Sequence, residues 1–497
     1  MPQTIMADLK YKVAHGAFFK MGAQATFALL RVGSLMALAR LLSPRDFGLV
    51  GMVTVVTGIF GLFQDAGLSL VTVQRPHITK EQISTLFWVN IFVGGMLSLA
   101  LLLSARLIAS FYREPRLVSI AAVLAIGFLI NAAGVQHAAL LQREMRFITL
   151  SLIQVLSNLV SYIIAIGMAL GGFGYWSLVA MSLMPTILTT ASVWIKGAWI
   201  PGRPRQGVGV RSMLGFGSRV TINGAILYAS FNIDKVLVGR YWGTEALGIY
   251  GRAYQIVSIP NDNLNSAVGQ VTISALARVQ DNPNAFKGYF LKGLFFLMSI
   301  TLPITASIAL YADEIILFFL GPAWKDAAII LRLLAPTILA IGIFHPFRWF
   351  LYASGRIQRS LNITLVHAPL IITAYFVGLP HGPRGVALSY STFMILWIIP
   401  IVAWSVHGTM VSMKDIIIVA SKPIISTAVA ATCAFIFRQY LGVLLASMGR
   451  LLVGVAILMT VYALMLLLVF RQKGIFLDVF KLLRQRDFAP KGALSGH

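Results

Sequence analysis

The residues best equipped for chemistry are basic and amide side chains set inside an apolar run. Over residues 16–42, a stretch about long enough to cross a bilayer, the chain carries Lys20, Gln24, Arg31 and Ser34. At 100° per residue, positions 20, 24, 27, 31 and 34 share one helical stripe. A helix apolar on most sides and cationic along one is a poor lipid anchor. Charge at that depth is costly unless it faces a bundle interior or a water-filled cavity. The chemistry on offer is anion binding, with fixed cations standing in for water around a negative group or a carboxylate.

Two later runs repeat the pattern. Residues 213–239 place Arg219, Asn223, Ser230 and Asp234 on one face with Lys235 beside them. The next run adds Arg252, Gln255, Asp262 and Ser266 at near-heptad spacing. Three helices with polar, mostly cationic faces would line a central cavity in a symmetric transporter. The plainer alternative is structural: Arg219–Asp234 or Arg252–Asp262 as ion pairs, with Lys20, Arg219 and Lys235 snorkelling from span ends. Arg31 and Arg252 lie deeper, which favours the cavity. Asp65, beside Gln64, is a partner or coupling carboxylate, or else a polar helix end next to Gly67; Asp234 and Asp262 share the coupling or ion-pair role. His137, His345 and His367 also fall within apolar runs, where a neighbour usually satisfies a lone histidine and a proton relay is the rarer use. No metal-ligand cluster, Walker loop or nucleophile elbow occurs. Neither a catalytic residue nor a cofactor is expected, and the chain does not read as an enzyme.

Composition frames these stripes. Of 497 residues, 58% are hydrophobic and only 11% charged, with a mean hydropathy of +0.83. A soluble domain carries about 25% charged residues, so the chain is an integral membrane protein. The formal charge of +24 reflects basic loops meeting anionic headgroups. Basic residues are scattered between apolar runs, so nucleic acid is not an expected partner. A single cysteine, Cys433, excludes an internal disulfide. No cleavable signal stands out, and the first span is expected to serve as the insertion signal.

The fold class is therefore all-α, with about fourteen spans of roughly 20–27 residues. They run near 16–42, 47–73, 84–110, 117–141, 147–170, 174–195, 213–239, 245–272, 286–310, 327–353, 360–379, 385–406, 417–440 and 449–470. Alternate loops differ in charge. One set holds Lys10, Arg75, Arg143, Arg146, Lys196, Arg203, Arg205, Arg356 and Arg359, and the tail joins them. The other holds fewer, among them Arg40, Arg113, Arg240 and Arg384. The positive-inside rule then puts both termini in the cytoplasm.

The chain also repeats itself. Ala39-Arg40-Leu-Leu-Ser-Pro-Arg-Asp-Phe-Gly48-Leu-Val-Gly51 matches Gly239-Arg240-Tyr-Trp-Gly-Thr-Glu-Ala-Leu-Gly248-Ile-Tyr-Gly251 at a shift of 200 positions. Ala105 to Phe111 echoes Ala312 to Phe318, Arg143-Glu-Met-Arg146 echoes Arg356-Ile-Gln-Arg359, and Gly171-Gly-Phe-Gly174 echoes Gly382-Pro-Arg-Gly385. Their common order implies two six-helix lobes related by a pseudo-twofold along the membrane normal, plus two C-terminal helices. The expected domains are an N-lobe at 1–196, an interlobe loop at 197–212, a C-lobe at 213–406, two helices at 407–470 and a tail at 471–497. Asp313 to Ala327, with Trp324, reads as an interfacial segment. The tail, basic on one face and apolar on the other, should lie on anionic inner-leaflet lipids.

Several blocks resemble bacterial polysaccharide flippases: Ala39 to Gly48, Phe63-Gln-Asp-Ala-Gly-Leu68, Val73-Gln-Arg75, Ser84-Thr-Leu-Phe-Trp-Val-Asn90 and Leu141-Gln-Arg-Glu-Met-Arg-Phe147. These are the Wzx-type members of the multidrug/oligosaccharidyl-lipid/polysaccharide exporter superfamily, in its colanic-acid and exopolysaccharide branch. The resemblance implies two six-helix lobes and movement of undecaprenyl-pyrophosphate-linked oligosaccharide from the inner to the outer leaflet of the bacterial cytoplasmic membrane. It also implies polymerase and export machinery as partners. Under that expectation Arg31 and Arg252, assisted by Lys20, Arg219, Lys235, Gln24, Asn223 and Gln255, form the anion shell. A cation-coupled multidrug exporter of the same superfamily is the nearest alternative, and a membrane oligosaccharide polymerase the next.

Overall fold

The computed structural model describes residues 22, 26–64, 69, 72, 73, 75, 78–197, 199–205 and 228–472, leaving the side chains of 262–268, 270, 271 and 273–275 undescribed. Every regular element among them is helical. The helices start where the sequence supplies caps. α1 covers 26–41, and α2 (Pro44–Phe63) begins with Pro44 in its first turn and a capping box in which Ser43 and Asp46 satisfy each other's backbone N–H. Thr79 with Gln82 does the same for α3 (Lys80–Tyr112). Both helices therefore begin three or four residues before the apolar runs expected at 47 and 84. α4 (Leu117–Arg143), α5 (Phe147–Leu170) and α6 (Trp176–Gly197) follow as expected.

α7 (Ile233–Arg278) is two helical segments interrupted at Gly243, whose φ of 83° and ψ of −173° are open essentially to glycine alone. α8 (Pro283–Leu310), the short α9 (Ala312–Phe319), α10 (Ala327–Leu334) and α11 (Pro336–Ala353) come next. The expected span at 327–353 is thus two helices in succession. The chain ends its described part with α12 (Ile357–Gly378), α13 (Gly382–Leu396), α14 (Ile398–Val406), α15 (Met413–Tyr440) and α16 (Ser447–Leu464). Ten runs among the described residues are long and apolar enough to cross a membrane, and one of them, Ile357–Val406, contains two expected spans. Spans 16–42 and 213–239 are only partly described, and the expected span 245–272 lies in α7, which is not among the ten, so the expected fourteen is not reached on these residues.

The chain divides into two compact units. The first comprises Met1–Arg252, Phe319–Lys325 and His381–Pro383. Within it α3 packs along α4, and α4 and α5 pack against α6. α5 leaves Leu152, Leu156 and Ile163 exposed, and α3 leaves Phe92, Leu103 and Leu107, as lipid-facing helices do. The two copies of the repeated block meet in this unit by reciprocal contact. Gly48 lies against the Thr244 carbonyl, and Gly248 lies against the Pro44 carbonyl. Shifting one contact by 200 positions gives the other. Around this crossing the Trp324 Nε1–H donates to the Ala39 carbonyl at 2.7 Å, Phe47 meets Trp324 edge-on at 5.1 Å, and the Arg240 guanidinium lies 5.3 Å from the Phe111 ring centre. In the α3–α4 turn, the Arg116 side chain beside Glu114 holds that carboxyl below its ordinary value.

The second unit comprises Ala253–Phe318, Asp326–Pro380 and Arg384–His497. α8 is its centre, packed on α11, α15 and α16 around Phe286, Phe290, Phe347 and Phe350. The segment expected to be interfacial starts with a charged knot. Asp313 accepts from Arg332 at 2.6 Å and from Arg438 at 3.0 Å, while the buried Glu314 lies 3.5 Å from Arg438 and 3.4 Å from Arg450. Burial alone would raise the Asp313 carboxyl, but Arg438 and Arg332 outweigh it and hold it below the usual carboxylate range. Tyr311, fully buried, donates to the Ala434 carbonyl at 3.2 Å and abuts Gly454. α9 therefore fastens both α15 and α16 to the second unit.

Candidate functional site

Of the residues singled out above, Lys20, Gln24, Asp65, Arg219 and Asn223, and the Asp262 side chain, lie outside the described residues. Arg31, Asp234, Lys235 and Arg252 are described and all belong to the first unit; Gln255 belongs to the second.

Arg31 stands on α1, exposed, its carbonyl accepting from the Ser34 hydroxyl at 3.0 Å. Ser34 is buried, so the helix turns one side into protein and leaves the guanidinium free of the packing. The Tyr162 phenol of α5 lies beside Ser34 and within Coulombic reach of Arg31. Arg252, half-buried on α7, lays its guanidinium over the Phe47 ring at 4.1 Å from the centroid. The two arginines, 221 positions apart in sequence, are themselves within Coulombic reach. Two like charges in such reach repel one another, the more so the less water lies between them. The ring under Arg252 offsets part of this, since a cation over an aromatic face gains about 0.5–2 kcal/mol. Among the described residues no carboxylate comes within ion-pair distance of Arg31. An anion placed between the guanidiniums would turn repulsion into two charge-assisted bonds.

Asp234 and Lys235 form a separate arrangement, built by the Gly243 break. Because the backbone reverses there, Tyr250 returns to donate its hydroxyl to Asp234 Oδ2 at 2.8 Å. Asp234 is fully buried, and its Oδ1 has no hydrogen-bond partner among the described residues. Lys235 donates to Asn232 Oδ1 at 2.7 Å and contributes a favourable charge to Asp234. Tyr250, sixteen positions away, was not anticipated; the Gly243–Thr244 step in the repeat block is the signal that could have found it.

The three histidines each lie against neighbouring groups. His137 stacks on Trp194 with centroids 4.2 Å apart and reaches the Trp199 carbonyl at 3.1 Å. His345 meets Arg348 at 3.0 Å, and His367 packs among Phe344, Phe393 and Trp397. Among the described residues no cluster of His, Cys, Asp and Glu could hold a metal.

The described residues make an all-helical, multi-pass membrane protein. Two solved structures share the fold. The lipid II flippase MurJ, in an inward closed conformation, superposes with a TM-score of 0.73 over 91% of this chain and 99% of its own, at 15% identity. An inward-facing multidrug resistance transporter of the MATE family, in the MOP superfamily, gives 0.60 over 76% and 93%, at 17% identity. The chain itself belongs to the polysaccharide biosynthesis protein family, whose model matches residues 37–329. Its relatives include the teichuronic acid biosynthesis protein TuaB of Bacillus subtilis (strain 168), 31% identical over 297 residues, or 59% of this chain and 61% of TuaB. The lipopolysaccharide biosynthesis protein WzxC of Escherichia coli (strain K12) is 24% identical over 398 residues, covering 78% and 80%. The succinoglycan biosynthesis transport protein ExoT of Rhizobium meliloti (strain 1021) is 25% identical over 319 residues, covering 64% of each chain.

Proposed function

We propose that this protein is a flippase without enzymatic chemistry of its own. It moves an oligosaccharide linked through pyrophosphate to undecaprenyl from the inner to the outer leaflet of a bacterial cytoplasmic membrane, for surface polysaccharide assembly. The observation that carries this is Arg252 held over the Phe47 ring, with the exposed Arg31 of a second helix of the same unit in Coulombic reach. A pyrophosphate crossing hydrocarbon needs fixed cations to replace its hydration, and the guanidinium fork binds phosphate oxygens two at a time. The family and the named roles of TuaB, WzxC and ExoT in polysaccharide biosynthesis and transport support the substrate class. A multidrug exporter would surround a cationic substrate with carboxylates, which two guanidiniums in Coulombic reach of each other oppose.

In this reading both termini are cytoplasmic, the two repeat halves form lobes related by a twofold along the membrane normal, and Lys20 and Arg219 supplement the anion shell, while Lys235 serves Asp234 instead. The basic tail rests on anionic lipid, and the polymerase and export machinery receive the product. A membrane potential negative inside favours outward movement of a doubly charged headgroup by about 4–5 kcal/mol per 100 mV.

The test is polymer export in cells carrying Arg31→Ala, Arg252→Ala or both, with membrane insertion measured in parallel. Either single variant should abolish export at normal insertion, while Arg→Lys retains part of it because the charge persists without the fork. Wild-type export by the double variant would overturn the anion-cavity assignment.

A further inference from the structure

The chain after α6 is fixed to α3. The Trp88 Nε1–H donates to the Gly202 carbonyl at 2.9 Å, and the Gly202 N–H donates to Ser84 Oγ at 3.0 Å. The Arg205 N–H donates to Thr85 Oγ1 at 3.2 Å. Farther back, the Trp199 carbonyl meets His137 at 3.1 Å. The Trp199 ring closes a cage with Phe87, 6.1 Å away, and His137, 5.1 Å away. Residues 199–205 thus form a strap with a set position.

What the strap presents outward is of two kinds. Ile200 is 84% exposed, Ile195 at the end of α6 is 78% exposed, and Trp88 and Trp194 stand partly out beside them. Lys196, Arg203 and Arg205 are exposed on the same stretch. The carboxylates nearby are fewer: Glu81, within Coulombic reach of Arg205 and Lys80, and Glu144, paired with Arg146 at 3.7 Å. Apolar side chains projecting next to a cationic rim, with indole rings between them, match a bilayer boundary, where acyl chains give way to phosphates.

We propose that the strap and the adjoining turns of α3 and α6 are a docking platform for anionic phospholipid, selecting headgroup charge through Lys196, Arg203 and Arg205 while Ile195, Ile200 and Trp88 enter the acyl region. The platform anchors the chain between its sixth and seventh spans against the anionic leaflet. It rests on the membrane reading and not on the identity of the transported substrate.

The test needs no transport. Full-length protein with Cys433→Ser and Ile200→Cys carries an environment-sensitive fluorophore at position 200 and is placed in nanodiscs. Those discs hold equal mole fractions of brominated phosphatidylglycerol or brominated phosphatidylcholine. Phosphatidylglycerol should quench in clear excess over phosphatidylcholine. Each of Lys196→Gln, Arg203→Gln and Arg205→Gln should reduce that preference about fivefold or less, the scale of one basic residue near a charged surface, and the triple variant should abolish it. These side chains are exposed and Arg205 bonds α3 through its backbone, so the strap stays in place. A fluorophore at Phe92→Cys, exposed on α3, should be quenched equally by both lipids. Equal quenching at position 200, no quenching there by either lipid, or an excess that survives the triple variant would each overturn the proposal.

Discussion

Gly48→Ala should destabilise the protein, whereas Gly251→Ala in the same repeated block should stabilise it. A β-carbon at Gly48 collides with the Thr244 carbonyl oxygen and sits 2.5 Å from the carbonyl carbon, where ordinary contact begins at 3.4 Å. Both atoms are backbone, so no side chain can swing aside and the helices must part. Overpacking of this kind costs about 1–3 kcal/mol, from which the gain of replacing a helical glycine, about 0.5–1 kcal/mol, is subtracted. A net loss of up to about 2.5 kcal/mol follows, toward the upper end because the clash is with backbone. Gly248→Ala meets the Pro44 carbonyl in the reciprocal position and should cost about as much. Once either methyl has separated the segments, the second finds room already made, so the double variant should fall short of additivity by about 0.5 kcal/mol or more. Gly251 has nothing within 4 Å of its built β-carbon, so alanine there keeps only the propensity gain. The assay is unfolding of purified protein in mixed micelles followed by far-ultraviolet circular dichroism. Full additivity of the Gly48 and Gly248 changes, or stabilisation by Gly48→Ala, would refute a shared backbone crossing.

Two further outcomes follow from the described contacts. Asp313 is held below its ordinary carboxylate value despite burial, through Arg438 and Arg332, and Glu114 is likewise lowered through Arg116. Because their folded values lie below the unfolded ones of about 4, their stabilisation is fully present above that pH and lost as the pH falls through the lower folded values. Mixed-micelle stability should therefore be flat between about pH 7 and 5 and drop only below about 4, with Asp313→Asn flattening part of the drop; a loss centred near neutrality would count against these carboxylates. Phe47→Leu removes the ring beneath Arg252 and should weaken its hold by about 0.5–2 kcal/mol, reducing export while insertion stays normal. Unchanged export in Phe47→Leu would show that the ring does not set the position of that guanidinium.

The helical spans were legible because each is a local property. Length, hydropathy and the capping pairs Ser43–Asp46, Thr79–Gln82 and Ser412–Asp415 all lie within a few residues of the elements they define. The knot at α9 was not legible, since Arg438 and Arg450 reach Asp313 and Glu314 across separations of 125 and 136 positions. Nothing in a hydropathy pattern says which arginine meets which carboxylate. The fold-back that gives Asp234 to Tyr250 escaped for a different reason. A single glycine at 243 reverses a chain whose flanks both read as helix, and only its dihedral angles reveal the break.

The arginine pair lies between these cases. The stripe containing Arg31 and the polar face containing Arg252 were each visible as local periodicity, but their proximity is a tertiary fact. Periodicity predicts that a charge faces away from lipid and is silent on what it faces. Arg252 lies over the Phe47 ring, with a second guanidinium in Coulombic reach. An aromatic face can hold a cation in place without neutralising it, whereas a carboxylate would do both. Two guanidinium charges thus come near one another in the first unit. An anionic group brought to them from outside the chain would relieve their repulsion.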